Sequence, residues 1–160
     1  MNAQTYKNLI VHSTYEVFDK MMAVPIEEVD AGNCITAGQN HLTATIGFAG
    51  QWDGFVSVQC GENLAKYLTA KMLYADVDSL EDEEIRDALG EIVNMIGGKF
   101  KSTFAENFNS GLEAFKMSVP SIVQGKNYEV FAVGSEEVQK MVFRTSEDYF
   151  CIELALKKIK

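Results

Sequence analysis

The stretch from Leu80 to about Asn107 constrains this chain more than any other, because its apolar residues recur at helical spacing. At about 100° per residue, Ile85, Leu89, Ile92 and Ile96 fall on one arc, and Phe100 and Phe104 extend it. Asp87, Glu91, Asn94 and Gly98 fall within roughly a 60° arc on the opposite side. The spacing predicts a long helix anchored through Ile92 and its neighbours. Glu91 and Asn94 then point side by side, away from the core, because residues three apart are neighbours on a helix surface.

From spacing alone, this stripe reads as a solvated helix face. The residue types weigh against that reading. Asn is a poor residue in mid-helix, where Gln or Lys would serve solubility better. Gly90, Gly97 and Gly98 each cost on the order of 1 kcal/mol relative to Ala inside a helix. A helix with three of them needs its backbone approached closely, by its own core or by a partner. Tight packing of helix on sheet is the alternative for Gly90 and Gly97.

Composition sets wide bounds. At 160 residues, 47% hydrophobic and 23% charged, the chain reads as one globular domain, 1–160, able to bury a core. No apolar run approaches the roughly 20 residues of a membrane span. The opening Met-Asn-Ala-Gln-Thr-Tyr-Lys lacks the basic stretch and apolar run of a signal peptide, so a cytoplasmic location is expected. A net charge of −9 argues against a nucleic-acid ligand, since phosphate backbones demand a Lys/Arg surface. Cys34, Cys60 and Cys151 form no CxxC pattern and read as buried thiols acting as small hydrophobes. His12 and His41 are the only histidines, which leaves little for a zinc site or a His-based triad. Glu81-Asp82-Glu83-Glu84 reads as an acidic helix start favoured by the helix dipole, ahead of a cation site.

Helical spacing recurs over 3–23, through Tyr6, Ile10, Val17 and Met21 with Pro25 beyond, and over Glu62 to Tyr74. Residues 26–37 read as a strand with Gly32-Asn33 as a turn or bulge inside it. His41–Phe48 and Phe55–Cys60 flank Ala-Gly-Gln-Trp-Asp-Gly54 as a hairpin. Residues 112–123 alternate as a strand with Pro120 near a bulge or edge, and Gln124–Asn127 turns the chain into Tyr128–Val133. Val138–Thr145 and Tyr149–Lys157 follow, separated by Ser146-Glu-Asp148. Three helices with about six or seven strands joined by short turns predict an α+β fold, helices packed on an antiparallel sheet.

These residues carry a resemblance. Glu91-x-x-Asn94, with Asp87 four positions earlier, resembles the signature of the CheC/CheX/FliY chemotaxis phosphatases, and within that family the CheX branch. Thr14–Met21 resembles the family's first helix, and Ile46-Gly-Phe-Ala-Gly50 with Gly54-Phe-Val-Ser-Val its glycine-marked hairpin. Leu89–Gly98 resembles its active-site helix, and Ser118-Val-Pro-Ser-Ile-Val-Gln-Gly125 its later strand and turn. CheC carries two ExxN helices; here the first helix offers only Glu16-Val-Phe-Asp19, with Asp in place of Asn, which favours CheX.

The resemblance implies a CheC-like fold with a sheet of about six strands. It implies a phosphatase acting on the aspartyl phosphate of a CheY-like receiver, and a homodimer with strands shared across the interface. The divalent cation, magnesium being the expected ion, would be carried by the receiver, with no cofactor of the chain's own. The residue types suit this chemistry independently. An aspartyl phosphate is already activated, so its hydrolysis needs a positioned water more than a strong base. A carboxamide both donates to and accepts from water, which makes Asn94 the water-positioning residue. Glu91 suits an ion pair with a receiver lysine, the role the resemblance assigns it; an exposed Glu, titrating near ~4.3, is a feeble general base. Asp87, Gly97, Gly98 and Lys101 are the expected partner contacts. The rival class is a non-catalytic module of the same fold that docks a receiver or a flagellar-motor component.

Overall fold

A computed structural model of the chain describes residues 3–108, 115–131 and 137–159. Helix α1 (Ala3–Val17) widens into a π-helical turn over Phe18–Met22. Ala23, at φ 52°, closes that turn: its N–H donates to Asp19 O at 3.1 Å, and the Val24 N–H donates to Phe18 O at 3.1 Å. This pair of bonds satisfies the orphan carbonyls of a helix end, and Pro25 bars continuation. The helix predicted over 3–23 is thus present, with its last turn loosened.

Only Glu27–Val29 of the predicted 26–37 strand pairs, as β1. The difference has a covalent cause. Cys34 is joined to Cys151 with their Cα atoms 5.8 Å apart, which draws residues 30–40 off the strand line and over the sheet. The reading of three free thiols is corrected for these two. Cys60 stays a buried thiol, its pKa pushed up to about 12 by burial.

Strands β2 (His41–Gly50) and β3 (Trp52–Gly61) make the expected hairpin, with a tighter connection than the 49–54 turn read from sequence. The Gly50 N–H donates to Asp53 Oδ1 at 3.1 Å across the corner. Gly54 has φ +158°, and a Cβ there would collide with the Ala155 carbonyl of the neighbouring strand. Then come α2 (Glu62–Leu73), α3 (Asp82–Phe108), and β4 (Phe115–Met117), β5 (Ser121–Gly125), β6 (Val138–Arg144) and β7 (Tyr149–Lys158). Tyr128, in the predicted 128–133 segment, lies outside any strand, its ring stacked on His41 at 4.1 Å and its hydroxyl 2.8 Å from Thr43 Oγ1. Residues 132 and 133 fall outside the described ones.

The strands form one antiparallel sheet in the order β1-β6-β7-β3-β2-β4, with β5 beside β4 on the edge of β2. Alternation along each strand sorts side chains onto two faces. Leu42, Ala44, Ile46 and Phe48 of β2, Val56 and Val58 of β3, and Ile152 and Leu154 of β7 are buried in one core with the α3 residues Ile85, Leu89, Ile92, Ile96, Phe100 and Phe104. The expected apolar arc is therefore the buried face, and the architecture is α+β.

An aromatic cluster closes the core beneath the C-terminal half of α3. Phe104 is fully buried, and its ring contacts Tyr6, Trp52, Phe100, Phe108 and Phe115 at centroid separations of 4.6–6.1 Å. Phe104→Ala removes a side chain touching both helix and hairpin. We expect a loss of about 3–5 kcal/mol in unfolding free energy by urea titration; a loss under about 1 kcal/mol would contradict this packing.

Candidate functional site

Helix α3 runs unbroken from Asp82 to Phe108, so Asp87, Glu91, Asn94, Gly98 and Lys101 sit on one rigid element. Its start is acidic, with Asp82, Glu83 and Glu84 in the first turn, and Glu84 Oε1 accepts the Glu81 N–H at 2.9 Å. That bond satisfies the Glu81 donor, and the acidic side chains favour the helix dipole. The predicted stripe lies on the solvent side of the helix, part exposed and part half-buried. Asp87 and Glu91 are exposed, and Asn94, Gly98 and Lys101 are half-buried.

Among the described residues, the side chains of Asp87, Glu91, Asn94 and Lys101 have no hydrogen-bond or ion-pair partner. A carboxylate and a carboxamide one helical turn apart are thus both open to a visiting group. Neither has to break an internal contact to receive one.

The three glycines divide. A Cβ on Gly90 would meet Pro120 Cβ at 3.5 Å and Ile122 Cδ1 at 3.7 Å, and one on Gly97 would meet Met117 Sδ and Val56 Cγ1 at 3.5 Å each. Both glycines are buried and face the sheet side of the helix, at distances where a Cβ would make ordinary contact. Gly97, expected as a partner contact, is corrected on this ground, because it is buried and faces Met117 and Val56 instead of the open stripe. Gly98 has nothing within 4 Å of its Cβ position, so only there is the backbone open.

Sequence reasoning missed the neighbours on each side of the stripe. On one side Lys99 Nζ pairs with Glu16 Oε2 at 3.1 Å, tying α3 to α1. Glu16 also meets Lys20 and, at 3.5 Å, His12 Nε2. The Lys20 and Lys99 ammonium groups hold its carboxyl below the usual carboxylate range. The Glu16–Asp19 pair of the first helix therefore differs twice from Glu91–Asn94: its carboxylate is engaged by the chain's own lysines, and Asp19 lies in the π-helical turn. On the other side runs the segment Met117–Pro120, held against Gly97 and Gly90. Paired glycines seven apart were the one sequence signal for it.

A cleft of about 1110 Å³ opens elsewhere, lined in part by His41, Thr43, Phe55, Ser57, Gln59, Lys140 and Glu153. These residues alternate with the core residues of their strands, so the cleft lies on the sheet face away from α3. Burial raises the Glu153 carboxyl there, with Lys140 opposing. Among the described residues, no group of three or more His, Cys, Asp or Glu could hold a metal ion. No helix among them is long and apolar enough to cross a membrane.

The model of the family described as chemotaxis phosphatase CheX matches residues 42–144, which include all of α3. No curated protein sequence matches the chain. Among solved structures, the chemotaxis protein CheX from Vibrio vulnificus is similar at 26% identity and TM-score 0.77, over 98% of this chain and 100% of that one. A CheX from Desulfovibrio desulfuricans gives 23% identity and TM-score 0.77, over 96% and 99%. The CheX of a CheX–CheY–BeF3–Mg complex from Borrelia burgdorferi gives 22% and 0.75, over 95% and 97%.

The lowered Glu16 carboxyl makes a prediction about pH. A carboxylate favoured in the folded state adds stability at pH values above its unfolded pKa, and that stability is lost as pH falls through the lowered folded value. Thermal melts of the protein should therefore shift down on acidification below about pH 4.5, the ordinary value for Glu. Glu16→Gln should melt with a shallower dependence over the same range. Equal slopes for the two proteins would refute the ion-pair contribution.

Proposed function

Since the chain belongs to the CheX family of chemotaxis phosphatases, we propose that it hydrolyses the aspartyl phosphate of a CheY-like receiver through Glu91 and Asn94. The observation that carries this reading is the pair itself: two side chains on one rigid stripe, adjacent, accessible and unengaged among the described residues. The CheX from Borrelia burgdorferi, in complex with CheY, BeF3 and Mg, supports a receiver as the partner.

In this mechanism the receiver docks across α3 and brings its phospho-aspartate and its divalent cation, magnesium being the ion proposed. The Asn94 carboxamide accepts a hydrogen bond from a water and donates one to its oxygen, directing a lone pair in line with phosphorus. The water oxygen bonds to phosphorus as the bond to the aspartyl oxygen breaks. Inorganic phosphate leaves, and the receiver keeps a free carboxylate. Fixing a water on a mid-helix carboxamide contributes through positioning, which is most of what phosphoryl transfer requires. Glu91, charged and exposed, pairs with a receiver lysine and fixes the docking register. Asp87 and Lys101 offer charges at the two ends of the stripe, and Gly98 admits the receiver surface to the helix backbone.

The test uses purified protein and phosphorylated receivers of the same organism, following phosphate loss. The protein should accelerate it. Asn94→Ala should slow the accelerated reaction by about two to three orders of magnitude with an unchanged circular dichroism spectrum. Glu91→Ala should raise KM about tenfold, the loss of one favourable ion pair. No acceleration with any receiver would sink the reading, and a receiver retained without faster phosphate loss would leave a docking module.

The active species is proposed to be a homodimer with strands shared across the interface. Sedimentation equilibrium should then give twice the chain mass, and a monomer mass throughout would refute it.

A further inference from the structure

Strands β4 and β5 both pair with β2, and the register between them is broken by one residue. Met117 stands opposite Phe48 and Ser121 opposite Thr45, so Ser118, Val119 and Pro120 face only Ile46 and Gly47. Three residues against two is a bulge, a device that turns a side chain out of the ladder. The side chain turned out is Val119, 82% exposed.

The bulge is held from every side. The Ser118 N–H donates to Gly47 O at 2.9 Å, the Gly47 N–H donates to Ser118 Oγ at 2.9 Å, and that hydroxyl donates to Val119 O at 3.0 Å. Pro120 fixes its own φ and confines Val119 to extended backbone. Branching at Cβ leaves the valine few rotamers. Val119 is therefore a rigid apolar projection that loses little freedom when something packs on it.

Its position is fixed relative to α3. Pro120 lies against Gly90 and Met117 against Gly97, so the Ser118–Val119 peptide is bracketed between two points about 10.5 Å apart along the helix. Asn94 lies between those points and within roughly 60° of both around the helix axis. The bulge thus borders the side of the stripe that carries Asn94.

We propose that Val119 is a docking residue for the phosphorylated receiver, packing on an apolar side chain beside the receiver's phosphorylation pocket while Asn94 reaches the phosphoryl group. This rests on the receiver-phosphatase reading of α3. An exposed valine continuous with that surface adds affinity and register without touching the reacting atoms. The bulge aims it, and the contacts of Pro120 and Met117 near Gly90 and Gly97 seat the bulge against the helix.

The experiment measures binding and turnover separately. The receiver is activated with beryllium fluoride and magnesium for binding, and phosphorylated for turnover. Val119→Ala should weaken binding and raise KM about fivefold, and Val119→Asp by more than about tenfold, with kcat and the thermal midpoint unchanged. Wild-type protein that accelerates phosphate loss while Val119→Asp keeps its KM and affinity overturns the docking role and leaves the phosphatase intact. Weaker binding by Val119→Asp, with no acceleration by wild type, supports the docking role and removes the phosphatase. Absence of wild-type binding to every receiver overturns both.

Discussion

The close approach of α3 to the sheet is the contact on which the rest depends. Ile85, Leu89, Ile92, Ile96, Phe100 and Phe104 fill the space over β2, β3 and β7, and Gly90 and Gly97 face Met117, Pro120 and Ile122. Interiors are packed nearly as densely as organic crystals, so a helix seated this way has little freedom to rotate. Its opposite stripe is consequently held at one angle to solvent. A water-positioning carboxamide needs that constancy, because misplacement by an ångström costs much of what positioning contributes.

The two flanks of the stripe do different work. Lys99 and Glu16 join α3 to α1 and consume the carboxylate of the first helix's Glu16–Asp19 pair. The Ser118–Pro120 bulge lies on the Asn94 flank and leaves Val119 in solvent. Between them the side chains of Glu91 and Asn94 are unengaged among the described residues. The cleft on the far face of the sheet would be the default place to seek a small-molecule site. The α3 stripe does not line that cleft, and the receiver proposed to dock on it would supply the other half of the site. Chemistry on a phosphorylated protein needs no enclosed pocket when the partner carries both the reacting group and its metal.

Period and composition made the helices and the hairpin legible. The 3.6-residue repeat through Ile85 and Phe104 and the alternation through Leu42 and Phe48 each reflect burial on one side, a local property of the chain. Pro120 marked a bulge or edge for the same kind of reason, since it removes a ladder donor. Contacts between distant segments were not legible. Residues 30–37 read as part of a strand because nothing nearby reveals that Cys34 meets Cys151, 117 residues away. Tyr128 read as strand because its partners, His41 and Thr43, sit across the sheet. The role of Gly97 was undecided for a related reason: a missing side chain does not say which neighbour takes its place.

The sequence by itself determined that one helix carries an apolar face and, opposite, a carboxylate and a carboxamide one turn apart, because helical geometry converts spacing directly into direction. It also determined the α+β class, through the order of its periodic segments. Only the tertiary structure decided which glycine is open and which faces the sheet, that Glu16 is engaged while Glu91 is not, and that the bulge carrying Val119 borders the Asn94 flank of the helix. Those outcomes depend on which surfaces meet when the sheet closes under the helices, and that meeting sums contacts from the whole chain, with no imprint on any short stretch of it.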